Sequence, residues 1–458
     1  MEQKNANYGL GMSVFGSIFF IFGFATTFII TLNSPVKAIF GLSETAAQLV
    51  SAAFFIAYPI MSIPTGKLIG RIGYKNTLMA GLILMGIGSL IFLPAAKLPS
   101  FPLFLVATFI LATGVVFLQV SANPYVAALG DESSASSRLN LTQALNSIAT
   151  MVAPWLISIA VFTGLNLPSD DKLITKAMGL AAADRVPLPF IIMAAIVILV
   201  AIIIFFIKLP GIGGETSVQA KKSVWKHPHV ILGALGIFFY VGAEVGIGGL
   251  ILSYLKSTMH FEPELAGKYV AIYWGGAMVG RFFGSIMLSK NIDNIKKYVY
   301  VAMVLLLAFI SGSFVTGWIW NIGLIFMIVA VGNFLLMQLG KGNAARSLAV
   351  FALVAAVLAL VTAFTSGNIT LWAVISIGMF NSIMFPNIFA LAVKDLDPGE
   401  LSTASGIINT LIVGGAIIPL IMGKIADVSG YSWAFVVPAL CYLYIFFYAV
   451  KGSKFRSA

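Results

Sequence analysis

The chain has 458 residues, of which 60% are hydrophobic and 9% are charged, and its mean hydropathy is +1.01. A soluble protein needs about a quarter charged residues for its surface, so this composition excludes a soluble protein and indicates a polytopic membrane protein. The net charge of +11 does not call for nucleic acid as a partner, because the cations fall in short loops beside apolar runs, as the positive-inside rule describes.

Apolar runs of roughly 20 residues, the length that crosses a bilayer as a helix, predict an all-α fold with about fourteen transmembrane helices. In chain order the runs begin near Gly9, Ala46, Asn76, Phe101, Leu139, Pro187, Val230, Lys268, Tyr298, Trp318, Arg346, Ile369, Leu401 and Ser432. Six of them precede the loop from Pro210 to His229, which is rich in Gly and Lys, and eight follow it. This loop is therefore the predicted boundary between two halves.

Two bundles of six helices characterise one large class of transporters. We therefore predict an N-terminal six-helix bundle at 1–209, a cytoplasmic central loop at 210–229 and a C-terminal bundle at 230–458. The surplus in the second half is placed at 298–340, where two apolar runs are joined by an uncharged turn around Gly317. The alternative is one mis-split span, but some 40 residues are too long for one crossing.

The loop cations predict the orientation of the chain in the membrane. They form four groups that alternate crossings place on one side: Lys67, Arg71 and Lys75; Lys221, Lys222 and Lys226; Lys290, Lys296 and Lys297; and Lys451, Lys454 and Arg456. Both termini are then cytoplasmic, and the loop from Asn166 to Val186 is outside. The one cysteine, Cys441, excludes an internal disulfide and a cysteine-based metal cluster, and all three histidines (His227, His229 and His260) fall in predicted loops.

Side-chain amides recur along segments that are otherwise apolar enough to lie in lipid. Gln119 and Asn381 each precede a proline by the same offset, which suggests two related halves around one site. The complete set is Gln119, Asn123, Gln143, Asn146, Asn381, Asn387 and Asn409. Uncharged paired donors and acceptors suit the vicinal hydroxyls of a sugar. Each amide could instead form an interhelical hydrogen bond, worth about 0.6 kcal/mol on average.

Glu244 is the one carboxylate that these spans place deep in the membrane, where an ionisable group is costly and usually functional. We predict that it couples substrate occupancy to proton or sodium flow, because binding changes the cost of its charge. The structural alternatives are a buried partner for Arg281 and a neutral acid that makes helix contacts.

Three further residues complete the predicted site. Arg281 lies toward the inner end of its helix, and Arg71 lies in the inner-loop motif GKLIGRIGYK, so both are predicted to stabilise a gate. Trp274, beside Tyr273, could present an aromatic face to a sugar ring, although Trp is also common at membrane interfaces. No metal ligand set is predicted.

The segments FLQVSANPYVAALG, RLNLTQALNS, GALGIFFYVGAEVGIG, YWGGAMVGRF and NSIMFP, together with the inner-loop motif, resemble the fucose, galactose and glucose:cation symporter family of the major facilitator superfamily. The likeness runs over nearly the whole chain and is strongest to the bacterial glucose/galactose branch. It implies two six-helix bundles in a bacterial inner membrane, and cation-coupled sugar uptake through a central site that opens to each side in turn.

The resemblance carries over unevenly. Gln143 and Asn146 match amides of the family, and Gln119 stands where the fucose branch has a glutamate. The family's first-helix Asn-Asp falls on Ile29 and Ile30, so no proton relay can pass through that carboxylate. Glu244 is then the sole deep acid, while Thr26 and Thr27 keep hydroxyls nearby. Gly70 also replaces the acid that usually precedes the arginine of the loop motif.

The sequence therefore predicts a secondary active transporter that imports a neutral hexose, with sodium or protons as the coupling ion, no cofactor, and no partner beyond sugar and membrane lipid. An exporter or facilitator of another small molecule is the first alternative, although the amides argue against a greasy cavity. A sugar sensor that does not transport is the second. An enzyme is disfavoured, because one deep acid and no deep histidine do not make a catalytic set.

Overall fold

The fold is that of a computed structural model, which describes residues 2–98, 100–128, 135–157, 187–207, 227–287, 293–394 and 406–454, with the single residues 159, 185, 396 and 404. The predicted outer loop from Asn166 to Val186 lies almost wholly outside these residues. So do Lys221, Lys222, Lys226, Lys290 and Arg456 among the predicted inner cations, and most of the central loop.

The described chain is helical. In the first half the helices are α1 (Glu2–Thr31), α2 (Asn33–Phe40), α3 (Glu44–Ala47), α4 (Leu49–Phe55), α5 (Ala57–Lys97), α6 (Phe101–Ala128), α7 (Ala135–Ile157) and α8 (Pro187–Phe206). In the second half they are α9 (Pro228–Met259), α10 (Pro263–Met287), α11 (Asn294–Val315), α12 (Trp320–Gln338), α13 (Ala344–Phe364), α14 (Gly367–Asn381), α15 (Met384–Ala392), α16 (Gly414–Ser429), α17 (Tyr431–Ala434) and α18 (Val436–Val450).

Within the described residues, 12 helical segments are long and apolar enough to cross a membrane. Helices α7 and α10 are also long, with 23 and 25 residues, but they are more polar and are not among those twelve. The predicted number of about fourteen spans therefore stays a prediction, while an all-helical chain of many membrane-spanning segments is what the structure has.

Each half packs mainly on itself. In the first half α1 lies against α7, and α5 lies against α6 and α8. In the second half α9 contacts α16 and α18, α10 contacts α14, and α13 contacts α14 and α18. The halves meet where α7 lies along α10 and where α3 and α4 lie against α16. These contact surfaces between the halves are where the candidate site is found.

Glycines bring α10 and α14 into backbone contact. A Cβ atom at Gly276 would lie 2.7 Å from the backbone nitrogen of Met379, and a Cβ at Gly378 would collide with the carbonyl oxygen of Tyr273. A larger residue at either position would force the helices apart. The close crossing fixes Tyr273 on α10 against the part of α14 that ends at Asn381.

Helices α11 and α12 occupy the segment predicted to hold a surplus pair. They pack on each other and on α10, and Gly312 and Gly323 face each other where they touch. Many of their large apolar side chains are exposed, as on Met303 and Leu335. The pair therefore lies at the edge of the second half.

Two details of the sequence analysis are refined. His229 lies in the first turn of α9 and is 1% exposed, so the prediction that all three histidines are in loops is wrong for this residue. The motif GKLIGRIGYK is a break within α5, where Gly73 has φ 80°. Beyond the break, Lys75 donates hydrogen bonds to the carbonyl oxygens of Phe205 and Ile207 at the end of α8.

Candidate functional site

Glu244 lies in the middle of α9, and its carboxylate is bonded from one turn away. The Tyr240 hydroxyl donates a hydrogen bond to Glu244 Oε1 over 2.8 Å. Because residues four apart share one face of a helix, the sequence places these two groups together without help from the fold. Glu244 is partly exposed, whereas Tyr240 is 1% exposed. The protein thus bonds one carboxylate oxygen of a residue that keeps part of its surface exposed.

A buried chain of polar groups continues from Glu244 through the second half. The Tyr273 hydroxyl donates to the main-chain carbonyl of Glu244 (3.2 Å) and accepts from Asn381 Nδ2 (3.1 Å). Asn381 Oδ1 in turn accepts from the Tyr442 hydroxyl at 2.8 Å. Asn381, with no exposed surface, therefore joins α10, α14 and α18. Its amide is engaged by protein on both sides.

Arg281 joins the two halves near this network. Its guanidinium donates a 2.5 Å hydrogen bond to the Ser147 hydroxyl on α7. Arg281 also acts electrostatically on Glu244, but within the described residues the two side chains form no direct salt bridge. The cation thus bridges to the first half. A simple buried ion pair, one of the alternatives for Glu244, is not what the structure has.

The predicted amides of the first half fall in two environments. Gln119 on α6 is partly exposed and lies within hydrogen-bonding reach of the Tyr58 hydroxyl on α5. Asn146 is 8% exposed and donates to the carbonyl oxygen of Phe19 over 2.9 Å, so it ties α7 to α1. Gln143 is partly exposed one turn earlier, and its carbonyl accepts from Ser147. Gln119 and Gln143 therefore keep surface that a ligand can contact, whereas Asn146 is engaged by protein.

Trp274 sits where α10 meets α9 and the first half. Its ring lies against Gly248, at a position that also neighbours Ile30. The side chain is 5% exposed, and its indole N–H has no hydrogen-bond partner among the described residues. A buried donor without a partner is costly. This N–H is thus available to a hydroxyl that enters between the halves.

Other predicted residues lie apart or carry no contact. Asn387 is 3% exposed and donates to the carbonyl oxygen of Ala344 at the start of α13. Arg71 is exposed at the break in α5, as a membrane-surface contact requires. Asn123 and Asn409 are partly exposed, and no hydrogen bond of either side chain to another described residue is found. These residues are not brought into the polar chain around Glu244.

The first helix offers no carboxylate to the site. Ile29 and Ile30 are buried, with exposures of 0% and 1%. Thr26 is partly exposed, but its hydroxyl donates to the carbonyl of Phe22. Thr27 is 1% exposed. The charged groups of the polar network described above are therefore Glu244 and Arg281.

Sequence reasoning missed several residues that complete the site. Tyr240 carried a usable signal, because it lies one helical turn before the deep acid. Tyr58, Ser147 and Tyr442 carried none, since each is one of many similar residues in apolar helices. Their importance comes from partners far along the chain, as for Ser147 and Arg281.

The arrangement supports binding and charge compensation. It offers a carboxylate bonded to a tyrosine, a cation that bridges the halves, partly exposed amides and an indole N–H without a partner among the described residues. Such groups can bind a neutral polyhydroxyl ligand and a small cation or proton near each other. Their location between two helical bundles is typical of sites reached alternately from each side of a membrane.

Known proteins resemble this chain in sequence and in fold. The sequence profile of the Major Facilitator Superfamily matches residues 14–340. The chain is 38% identical over 462 residues to the glucose/galactose transporter of Brucella abortus biovar 1 (strain 9-941), covering 99% of this chain and 96% of that protein. It is 28% identical over 473 residues to the L-fucose-proton symporter of Escherichia coli (strain K12), covering 99% of this chain and 94% of that protein. The crystal structure of the transporter FucP in the outward conformation superposes with a TM-score of 0.67 at 27% identity and covers 98% of this chain and 100% of FucP.

Proposed function

The chain belongs to the Major Facilitator Superfamily, and on that premise we propose that it is a secondary active transporter that imports a neutral hexose, of the glucose or galactose type, together with a cation. The observation that carries the proposal is the Tyr240–Glu244 pair in the middle of a membrane-spanning helix, beside an arginine that bridges the two halves. The names of the relatives, glucose/galactose transporter and L-fucose-proton symporter, support the substrate class.

The sugar would lie between the halves, where uncharged donors and acceptors face each other. Gln119, Gln143 and the indole N–H of Trp274 are the groups best placed to bind hydroxyls. Asn381 would act indirectly, by holding the Tyr273 hydroxyl on the main chain of Glu244. Asn123, Asn146, Asn387 and Asn409 remain members of the proposed substrate set, with weaker support. No carboxylate or arginine is needed to recognise a neutral ring.

Glu244 would carry the coupling. In its ionised form it accepts from Tyr240 and lies near the positive charge of Arg281. A proton or sodium ion that binds Glu244 reduces the attraction between Glu244 and Arg281. Because Arg281 is also bonded to Ser147 of the first half, cation occupancy would change how strongly the halves are held together. Protons have support from the proton symporter among the relatives. Sodium would require further oxygen ligands around the carboxylate.

We also propose the finer architecture on the same premise. The two rocking bodies are 1–209 and 230–458, joined by the cytoplasmic loop 210–229, and helices α11 and α12 are an inserted pair within 298–340. The edge position of the pair supports this, as does the packing of α13 on α14 and α18. Both termini would be cytoplasmic, because alternate crossings put Lys67, Lys297 and Lys454 on one side.

The test is uptake of labelled glucose, galactose, mannose and N-acetylglucosamine into proteoliposomes, with a sodium gradient or a proton gradient imposed alone. Concentration of one sugar under one gradient would establish both substrate and ion. Equilibration without concentration would reject coupling and leave a facilitator. Sugar binding with no flux under either gradient would reject transport in favour of a sensor.

A further inference from the structure

A second set of polar contacts joins the halves away from the candidate site, at the ends of α2 and α16. The Asp427 carboxylate accepts hydrogen bonds from the backbone N–H groups of Glu44 (2.8 Å) and Thr45 (2.9 Å). It also accepts from the Thr45 hydroxyl at 2.5 Å. A residue of the second half thus binds main-chain donors at the start of α3, which a helix cannot satisfy from within itself.

The same junction contains a shielded ion pair. Lys37 Nζ lies 2.6 Å from Glu44 Oε1, and the two side chains are 13% and 4% exposed. Tyr431, at the start of α17, donates its hydroxyl to Glu44 Oε1 at 2.5 Å and accepts from Lys37 Nζ at 2.8 Å. A charge pair with little water around it is weakly screened, so Lys37 and Glu44 attract each other strongly. Tyr431 of the second half therefore bonds to a stable ion pair in the first half.

The backbone geometry brings the two sides close enough for these bonds. A Cβ atom on Gly423 would lie 2.9 Å from the carbonyl oxygen of Glu44 and 3.0 Å from the backbone nitrogen of Thr45. Helix α16 therefore touches the main chain of α3, one turn before Asp427. Deeper in the same seam, Gln48 Nε2 donates to the carbonyl oxygen of Gly249 at 3.4 Å. The contact is continuous and not a chance meeting of two side chains.

We propose that Lys37, Glu44, Thr45, Asp427 and Tyr431 form a latch, called here the outer latch, that holds the halves closed on the side predicted to face outward. This inference rests on the proposed function, because it assigns a step of alternating access. To admit a ligand from that side, α16 and α17 must leave α2 and α3. This movement breaks the bonds that Asp427 and Tyr431 make to the first half, while the Lys37–Glu44 pair stays within it. The latch therefore sets the fraction of molecules that is open outward.

The test measures the distance between spin labels at Leu98→Cys and Ile369→Cys by pulsed electron paramagnetic resonance. The protein carries Cys441→Ala and is held in nanodiscs without sugar or an ion gradient. Leu98 and Ile369 are 70% and 67% exposed and lie in opposite halves. Leu98 follows the last residue of α5, Ile369 lies in the first turn of α14, and both are on the predicted outer side, as is the latch. Asp427→Asn and Tyr431→Phe should each increase the longer-distance population about fivefold, because each weakens the hydrogen bonds that join the halves at the latch. Glu264→Gln is the control, because it breaks the pair with Lys268 inside one helix on the same side.

Unchanged distances in both latch variants would overturn the proposal, and so would an equal shift in Glu264→Gln. If Asp427→Asn does not fold, the distance in Tyr431→Phe alone tests the latch, because this substitution removes a single oxygen atom and is the milder change. The readout does not need transport. If the latch variants shift the distance but the unsubstituted protein takes up no sugar, the latch remains a conformational contact and the proposed function is rejected. If the unsubstituted protein takes up sugar but the variants do not shift the distance, the latch alone is rejected.

Discussion

The guanidinium of Arg281 lies 2.5 Å from the Ser147 hydroxyl, and this hydrogen bond joins α10 of the second half to α7 of the first. Hydrogen bonds to a charged group contribute about 1.5 to 3 kcal/mol. In the proposed transport cycle, in which the halves separate, this bond has to be made and broken as the charge of Glu244 changes.

Ser147→Ala should lower the initial rate of gradient-driven sugar uptake about tenfold, because the Arg281 charge loses its partner in the first half. Ser285→Ala is the matched control on the helix that carries Arg281, since its hydroxyl bonds to the carbonyl of Phe282 three residues away. Radiolabelled uptake in proteoliposomes measures both. Equal rates in the two variants would show that the bridge has no part in the cycle.

Glu244→Gln should abolish concentration of sugar against a gradient and leave exchange of labelled for unlabelled sugar largely intact. The amide keeps the shape and can still accept the hydrogen bond from Tyr240, but it cannot titrate and has no negative charge to attract a cation. Uptake and counterflow assays on the same vesicles separate the two activities. Glu264→Gln should behave like the unsubstituted protein in both assays, and unaltered concentrative uptake in Glu244→Gln would remove this residue from the coupling.

Asn381→Ala should lower stability by about 2 kcal/mol, because it leaves the buried hydroxyls of Tyr273 and Tyr442 without their amide partner. Cys441, which is free and 3% exposed, reports unfolding when a thiol-reactive dye gains access to it on heating. Asn76→Ala, at an exposed position bonded within its own helix, is the control. A lower sugar affinity with an unchanged melting temperature would mean that Asn381 binds substrate directly.

Trp274→Phe should raise the KM for sugar about threefold to tenfold, because the ring remains while the unpartnered indole N–H is lost. The maximal rate should change less, since packing against Gly248 is mostly retained. Trp433→Phe, at a site that is 52% exposed, is the control. The outcome that contradicts this assignment is an unchanged KM with a reduced maximal rate, which would indicate a packing role.

Sequence alone could predict what depends on composition and on local spacing. Hydropathy was enough to indicate a helical membrane protein, and the cost of a charge in lipid was enough to select Glu244. The amides were harder, because a pattern of amides does not tell which face of a helix each occupies. Gln119 is partly exposed near Tyr58, whereas Asn387 binds a main-chain carbonyl of α13.

The outer latch was beyond sequence reasoning for a different reason. Thr45 and Asp427 are separated by 382 positions along the chain, and each is an ordinary polar residue at the end of a helix. What brings them together is the approach of α16 to α3 at Gly423, and a single glycine in a glycine-rich chain gives no warning of it. Contacts between the halves are therefore the part of the site that needed the fold.

The backbone contact between α10 and α14 has a mechanical consequence. Helices separated by side chains can slide past each other when those side chains repack. At Gly276 and Gly378 no side chains lie between α10 and α14, so the two backbones cannot slide in this way. Helices α10 and α14 must then move as one rigid unit, which carries Tyr273, Trp274 and Arg281 together with Asn381. In the proposed transport cycle, the groups around Glu244 then keep their mutual distances while their distance to the first half changes.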